Sequence, residues 1–392
     1  MNNSYVSKLN ADCIYEIFRQ IKARCEIEES NCSIPFIIYG ELFRFAVSFK
    51  RIYDLFKHWD RKLYYILRRR QNEFNDKLHI NFDNLYQELQ VATPKQQNMF
   101  FEFLIDDINK KKQLYDVSLT YETGPYNSKH LEFVEMIINA CQKKSMVTNL
   151  SIEMPGYSLN NNLSHFQNLR ELVLDVKIDA DELVECCKSN PNLRELYIRK
   201  NEIYGRLSDI TLDKNSLKHL ETLCFVMKTE IDAVEYAPLA NLPKLQDLGI
   251  VGTHEIGSLK PLFRRLAERN MLVCLNIPNA DMNDEEIHAI SQIKSLEGLA
   301  CGFIQPKSIH HLSNLNNLES LEIYSENEVV NTINDIVKML MASKTKWIQI
   351  DFCHVKFTYG ESSLNIIPFD MDPDKKTVRL NREVSNRRYK IS

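Results

Sequence analysis

The chain has 392 residues, of which 44% are hydrophobic and 26% are charged, and its net charge is −4. This composition predicts a soluble protein of two or three domains, and no stretch approaches the ~18 consecutive apolar residues of a membrane span. Residues 1–13 contain no apolar segment of a secretory signal, so we expect a cytoplasmic or nuclear protein whose ten cysteines stay reduced.

Charge is unevenly distributed along the chain. Residues 1–112 carry a net charge of +3 and residues 375–392 carry +6, which leaves −13 on residues 113–374. Binding of nucleic acid depends on neutralised phosphates, so the acidic central region disfavours that partner. It favours a protein partner with a basic segment.

The first predicted elements are helical. Residues 9–21 have the apolar spacing of an amphipathic helix, and Asp12 supplies an acidic group in its first turn. Residues 41–59 are too apolar for a lone surface helix. The two segments are therefore predicted to pack together in a small helical bundle.

This pair of segments resembles the F-box family. The family begins with a Leu-Pro pair, then an acidic residue, an aliphatic residue and an Ile/Leu-Phe pair, which read here as Leu9-Asn10, Asp12, Ile14 and Ile17-Phe18. A leucine-rich helix followed by Lys-Arg and an aromatic residue completes the family pattern and corresponds to residues 41–52. Three features depart from it: Asn10 stands for the proline, Ile52 for the tryptophan, and residues 22–34 are additional.

The resemblance implies that residues 1–67 form an F-box-like helical domain that docks on the adaptor of a cullin-type ubiquitin ligase. The adaptor-binding residues that it implies are Leu9, Asn10, Ile14, Leu42, Val47 and Lys50. The alternative is that these helices only cap the open end of a repeat array, as such arrays require.

Residues 68–113 are predicted to be connecting helices between two domains. They begin with a basic run at residues 68–70. Thr93, Pro94 and Gln96 then have the order of a helix start, with a cap, a proline in the first helical position and the second member of a capping box.

One short pattern recurs from about residue 114 to residue 353: an apolar residue, two variable positions, a second apolar residue, one variable position and a third apolar residue. The copy at residues 193–203 matches the leucine-rich-repeat signature in full. We therefore predict an α/β fold, a leucine-rich-repeat solenoid (horseshoe) of about ten repeats over residues 114–374. The copies begin at Leu114, Val147, Leu169, Leu193, Leu220, Leu245, Leu272, Leu296, Leu318 and Trp347.

The segments that return the chain to the next repeat are partly helical by their spacing. Residues 258–268, 283–293 and 331–341 have helical periodicity, and Asn283 with Glu286 predicts a capping box. The neighbouring carboxylates Glu285 and Glu286 are predicted to be solvated charges.

Alternate residues of each repeat strand are predicted to face outward, on the concave side of the horseshoe. They form an acidic start, a small and weakly polar middle, and an acidic and aromatic end. The alternative is that these positions are merely solvated, or that another part of the chain covers them. A binding role predicts target contacts from Glu171, Asp175, Glu195, Tyr197, Arg199, Glu322 and Tyr324.

Motifs of catalysis are absent from the sequence. It contains no C-x-x-C pair for a metal, no glycine-rich phosphate loop and no G-x-S-x-G nucleophile motif. We expect neither enzyme activity nor a metal or cofactor. By the resemblance, the chain is expected to be the substrate-recognition subunit of an SCF-type E3 ubiquitin ligase, with the adaptor, the cullin and a protein target as partners. The alternative is a non-catalytic leucine-rich-repeat scaffold.

The last predicted segment is a basic C-terminal tail, residues 375–392. The alternation of Val378 and Leu380 predicts that its first part pairs as a strand against the last repeat. For the remainder, three interpretations stay open: a nuclear signal, an unstructured solubilising end, or a segment that folds back on the acidic array.

Overall fold

The structure is a computed structural model. It describes residues 9–28, 39–47, 50–61, 63, 77–83, 85, 101–102, 104–105, 108–109, 113–122, 128–142, 145–159, 163–199, 203–204, 206–211, 217–227, 232–304, 306–325, 347–352, 371–372 and 377–381. The chain forms two compact units, Met1–Tyr157 and Ser158–Ser392.

The first described elements of this unit are the helices α1 (Ala11–Glu28), α2 (Gly40–Val47) and α3 (Lys50–Trp59). The predicted helix in residues 9–21 is confirmed as part of α1, and the apolar stretch 41–59 forms two helices. Their core is aromatic: the Phe18 ring lies 5.9 Å from that of Phe45, 5.5 Å from that of Phe56 and 5.1 Å from that of Trp59.

Three parallel strands follow in the same unit: β1 (Lys77–Asn81), β2 (Asp116–Thr120) and β3 (Asn149–Ser158), with helix α4 (Ser128–Gln142) between the last two. Leu78 pairs with Val117, which pairs with Leu150, and all three are buried. The inward alternation of a repeat strand is therefore present in each.

Strand β1 corrects the prediction that residues 68–113 are connecting helices. Lys77 pairs with Asp116, so the position that Leu114 holds in the next repeat falls on Asn75. The pattern requires an apolar residue at this position, and Asn75 is polar, so the sequence pattern alone does not reveal this repeat. Terminal repeats commonly depart from the consensus in this way.

The second unit contains eight parallel repeat strands in an unbroken order, with the short strand β6 (Ile203–Tyr204) paired to the first of them. Their inward leucines lie in register and are buried, which confirms the predicted repeat starts from Leu169 to Leu318. The eight strands are β4 (Glu171–Asp179), β5 (Glu195–Ile198), β7 (Thr222–Val226), β8 (Asp247–Val251), β9 (Cys274–Met282), β10 (Gly298–Phe303), β11 (Ser320–Ser325) and β12 (Trp347–Phe352).

The predicted start of the last repeat at Trp347 is wrong by two residues. Trp347 pairs with Ser320, an outward position, and Ile348 pairs with the inward Leu321. Counting back along the sequence, the first apolar position of this repeat therefore falls on Thr345. The register depends on backbone pairing with β11, whereas the sequence pattern alone favours the nearest large apolar residue, Trp347.

A recurring backbone hydrogen-bond pattern joins successive repeats at the start of each strand. The carbonyl oxygen of Arg170 accepts hydrogen bonds from the backbone N–H groups of Arg194 (2.8 Å) and Glu195 (3.0 Å). The carbonyl oxygen of Arg194 accepts from Glu221 and Thr222 in the same way, at 2.8 and 2.9 Å. This repeated pairing gives these peptide groups hydrogen-bond partners and holds neighbouring repeats at one spacing.

The chain returns between strands through short helices or 3₁₀ segments. The helical returns are α5 (Ala180–Ser189), α6 (Lys260–Arg269) and α7 (Asp284–Ile290). Helix α6 confirms the helical prediction for 258–268 and α7 that for 283–293, while 331–341 lies outside the described residues. The other returns that the structure describes are 3₁₀ segments, at Leu163–His165, Leu207–Thr211, Ala233–Asn241 and Pro306–Asn314.

The capping box of α7 is present as predicted, but Glu286 is not solvated. Its side chain is completely buried. Its carboxylate accepts hydrogen bonds from the backbone N–H of Asn283 (3.1 Å) and of Leu259 (3.1 Å) and lies 2.9 Å from Nε2 of His254. The capping carboxylate of Glu286 therefore also stabilises the loop of the preceding repeat, through Leu259 and His254. Glu285, the neighbouring carboxylate, is exposed and pairs with Lys260.

The array ends in an antiparallel hairpin. Strand β14 (Thr377–Asn381) pairs antiparallel with β12 and with the two-residue strand β13 (Met371–Asp372). Val378 is the backbone register partner of Ile350 and Leu380 that of Ile348, which confirms the predicted strand at the start of the tail. Residues 382–392, on which the fold-back interpretation depends, lie outside the described residues. Among the helices in the described part of the chain, none is long and apolar enough to cross a membrane.

Candidate binding surfaces

One face of the sheet in the second unit carries the alternate strand residues that point away from the leucine core. We call it the open face. Two rows of side chains cross it in register, each row perpendicular to the strands. The first row is Glu171, Glu195, Thr222, Asp247, Cys274, Gly298 and Ser320, and the second is Val173, Tyr197, Cys224, Gly249, Asn276, Ala300 and Glu322.

The open face begins with an acidic group. Glu171 and Glu195 are register partners on adjacent strands, and Tyr197 donates its hydroxyl hydrogen to Oε2 of Glu195 at 2.9 Å. Partial burial, this hydrogen bond and the charges of the two glutamates raise the pKa of Tyr197 to about 12. The phenol therefore stays protonated at neutral pH and remains a donor toward the carboxylate.

Small side chains form the middle of the open face, and the packing explains why. A Cβ atom on Gly249 would lie only 2.8 Å from Sγ of Cys224, and one on Gly298 would lie 3.1 Å from Sγ of Cys274. Glycine leaves the room that each cysteine side chain occupies. We call this part of the open face, formed by Cys224, Gly249, Cys274 and Gly298, the floor. Its short side chains leave room for another chain to approach the strands.

The cysteines of this floor are poor nucleophiles. Partial burial, followed by a hydrogen bond to Asp247 and the charges of Asp247 and Glu297, raises the pKa of Cys274 to about 11. Partial burial also raises the pKa of Cys224, against a smaller opposing effect of Arg199. Both groups are thiols at neutral pH, and the thiolate is the reactive form.

The residues predicted to bind a target do not form one group. Glu171, Glu195 and Tyr197 lie together and are partly exposed, and Arg199 follows them as an exposed residue. Glu322 lies on β11, five strand steps from β5 and so about 24 Å away. For Tyr324, the backbone lies in β11 and the side chain is outside the described residues.

The prediction that Asp175 belongs to the target-binding surface is wrong, because this residue is buried. Only 8% of this residue is exposed, and residues 172–176 of β4 are all buried, so both faces of the strand are covered there. Strand alternation placed Asp175 outward correctly, but outward positions are solvent-exposed only where nothing packs on them.

The second predicted surface, on the N-terminal helices, is reduced by burial. Ile14 and Leu42 are completely buried in the helical core and offer no surface to a partner in this structure. Leu9 is partly exposed, and Asn10 is exposed at the start of α1. The Oδ1 atom of Asn10 accepts a hydrogen bond from the backbone N–H of Cys13 at 2.8 Å, so this residue caps the helix. Val47 and Lys50 belong to α2 and α3, with side chains outside the described residues.

A cluster around Lys22 escaped the sequence analysis. Its ammonium group lies 2.8 Å from Oδ2 of Asp60 and 4.0 Å from Oε1 of Glu26. It also lies 5.8 Å from the ring centre of Trp59 and 6.0 Å from that of Tyr39. Only the Lys22–Glu26 spacing of four residues is visible in the sequence, because the other members come from the ends of different helices.

Metal chemistry finds no support in the described ranges: among those residues, no group of three or more His, Cys, Asp and Glu side chains could hold a metal ion.

No family model and no curated protein matches this chain. Among solved structures, a leucine-rich-repeat protein from Leptospira interrogans shows 17% identity over 63% of this chain and 62% of that chain, with a TM-score of 0.36. Internalin C2 from Listeria monocytogenes shows 18% identity over 54% of this chain and 90% of that chain, with a TM-score of 0.35. The chain thus spans less than two thirds of the Leptospira protein. Its leucine-rich-repeat fold rests on its own strand register and buried leucines.

Proposed function

We propose that the chain is a non-catalytic binding protein whose open face holds an extended, basic segment of a protein partner. The observation that supports it is the register of acidic side chains along the first row, beside a floor of small residues. A regular array of repeats offers such a face as a continuous surface.

The spacing of the acidic groups defines what would fit. Glu171 and Glu195 are one strand apart, about 4.8 Å, and Asp247 lies two further strand steps away, about 10 Å. An extended chain rises about 3.3 Å per residue, so basic side chains four residues apart, about 13 Å, could reach Glu171 and Asp247, which lie three strand steps or about 14 Å apart. Because exposed ion pairs contribute only about 0–1 kcal/mol each, binding should need several of them and weaken with salt.

The absence of catalysis is part of the same proposal. The open-face cysteines are held as thiols by their raised pKa values, and Tyr197 is held as a neutral phenol. These groups suit hydrogen bonding to a partner rather than nucleophilic attack.

The test is the affinity for a fluorescent peptide in which lysine alternates with serine, measured by anisotropy at two salt concentrations. Exchange of both acids, Glu171→Gln with Glu195→Gln, should weaken binding about tenfold, corresponding to about 1.4 kcal/mol. Asp181→Asn with Glu185→Gln removes two exposed acids from helix α5 and is the matched control. An equal loss in both proteins would mean that net charge, and not the open face, attracts the peptide.

We further propose that the N-terminal helices dock on the adaptor of a cullin-type ubiquitin ligase. The chain would then be the substrate-recognition subunit of an SCF-type E3 ligase in the cytoplasm or nucleus and would raise the local concentration of its target. Support comes from the F-box-like residues and from the packing of Ile14, Phe18 and Leu42 in one helical core.

Co-purification with the adaptor tests this finer proposal. Ile14 is unsuitable for mutation because its loss would unfold the core. Leu9→Asp places a charge at a partly exposed position and should abolish co-purification, while Met136→Asp makes the same kind of exchange at an exposed site on α4. If the folded, unmutated chain does not bind adaptor at micromolar concentration, the scaffold alternative replaces the ligase, and the helices then serve as a cap.

A further inference from the structure

Four groups of the N-terminal helices converge on one ammonium group. They are the carboxylates of Glu26 and Asp60 and the rings of Tyr39 and Trp59, and Lys22 supplies the cation. We call these four groups the ammonium pocket. Aromatic faces attract cations within about 6 Å of the ring centre, and such arrangements recognise alkylammonium ligands in many proteins.

Each wall of the ammonium pocket is held by contacts that do not involve Lys22. The Trp59 ring packs 5.1 Å from that of Phe18 and 6.2 Å from that of Phe56, and both phenylalanines are completely buried. The Tyr39 hydroxyl donates to Oε1 of Glu26 at 3.0 Å.

Asp60 is positioned in the same independent way. Its Oδ1 atom accepts the backbone N–H of Leu63 at 2.9 Å, which leaves Oδ2 directed at the ammonium group. The pocket should therefore keep its shape when the Lys22 side chain is absent, because its walls are fixed by the fold.

Charge and access also suit an exchangeable cation. The pocket brings two carboxylates close to the Lys22 ammonium group, so removal of Lys22 makes the pocket more negative. Burial and the hydrogen bond to Glu26 raise the pKa of Tyr39 to about 12, which keeps its ring neutral. The side chains of Lys22 and Asp60 are 30% and 22% exposed, so solvent reaches the pocket.

We propose that the ammonium pocket binds an alkylammonium group from outside the chain, and that Lys22 is an internal ligand that closes the site. The incoming group is a lysine side chain of a partner, methylated or not, or a free quaternary ammonium, which share the same chemistry. Binding displaces Lys22, whose flexible stem allows its head group to move into water. This site is separate from the open face.

The experiment uses the full chain with Lys22→Ala. Trp347→Phe is introduced in every variant, because Trp59 is then the sole tryptophan and its fluorescence reports on the pocket. Tetramethylammonium chloride and a short peptide with one trimethyl-lysine are the two probes. Saturable quenching is expected, with a dissociation constant at least tenfold lower than in the control Arg24→Ala.

Arg24→Ala is the matched control because Arg24 is a cation on the same helix that pairs with Glu41. Adding Asp60→Asn to Lys22→Ala should weaken binding again. Saturation by the peptide alone identifies a lysine side chain as the ligand, and saturation by the free ion alone identifies a small molecule. Identical, non-saturating titrations of the Lys22→Ala and Arg24→Ala proteins would overturn the proposal.

A second measurement covers the case in which Lys22→Ala unfolds partly. Tetramethylammonium should then raise the melting temperature of this variant above the value in sodium chloride at equal ionic strength, and should not do so for Arg24→Ala. No difference between the two salts would also overturn the proposal, whatever the starting stability.

Discussion

At the residue scale, two neighbours on one strand have opposite roles. Leu196 is completely buried between repeats, while Tyr197 lies on the open face with its hydroxyl on Glu195. The pleat of the strand separates them, although they are adjacent in sequence.

Leu196→Ala should therefore destabilise the protein by roughly 2–5 kcal/mol, because it leaves a cavity in a packed core. Tyr197→Ala should cost far less, since it removes a partly exposed ring and one hydrogen bond. Urea unfolding followed by circular dichroism measures both. Equal losses of unfolding free energy would contradict the strand register described here.

The raised pKa of Cys274 makes a pH-dependent prediction. Because its pKa is about 11, the thiolate fraction at pH 8 is small, and alkylation by iodoacetamide should accelerate about tenfold per pH unit up to about pH 10. Asp247→Asn replaces the carboxylate by a neutral amide and so removes a negative charge, and the pKa of Cys274 should fall and labelling at pH 8.5 should be faster.

Mass spectrometry of the labelled peptides measures these rates. Cys301 is the internal control: it is completely buried, burial raises its pKa, and it should stay unlabelled in the native protein. A labelling rate at Cys274 that does not change with pH would contradict its raised pKa, and an equal rate in Asp247→Asn would show that the carboxylate has no influence on the thiol.

At the scale of elements, helix α7 stabilises more than its own repeat. Glu286 completes the capping box with Asn283 and also accepts from Leu259 and contacts His254, which lie in the loop before α6. The helix start and that loop therefore form one cooperative unit, in which a single buried carboxylate serves two repeats.

Glu286→Ala should lower the free energy of unfolding by about 3 kcal/mol, because it leaves buried donors without an acceptor. Amide exchange should accelerate in the loop at residues 252–259 as well as at the start of α7. Glu285→Ala, one residue away at an exposed position, should leave both measurements almost unchanged. Faster exchange in α7 alone would mean that the carboxylate is only a helix cap.

At the scale of the whole molecule, the ends of the repeat array need protection. The last parallel strand, β12, is covered by the antiparallel strand β14 instead of another repeat. An uncovered edge of this kind presents free backbone N–H and C=O groups to other chains. The hairpin therefore serves as the C-terminal cap of the solenoid.

Truncation after residue 370 should increase association of the chain, because it removes β13 and β14 and uncovers β12. Truncation after residue 381 retains both strands and should leave the chain as dispersed as the full-length protein. Light scattering over a concentration series distinguishes the two. If the chain truncated after residue 381 associates as much as the chain truncated after residue 370, the protective role belongs to residues 382–392.

The sequence by itself determined the repeat period, the inward leucines and the cap of α7, since each depends on residues close together in the chain. It also placed Glu171, Glu195 and Tyr197 on one face, because strand alternation is a local property. The first repeat was missed and the start of the last was placed two residues late, since their leading positions fall on the polar residues Asn75 and Thr345.

Only the tertiary structure decided which of these residues a partner can reach. Asp175, Ile14 and Leu42 are buried, and burial is a property of the packed molecule. The ammonium pocket is likewise assembled by the packing of three helices. Local spacing repeats along a chain and can be counted, whereas contacts between distant residues exist only after the chain has folded.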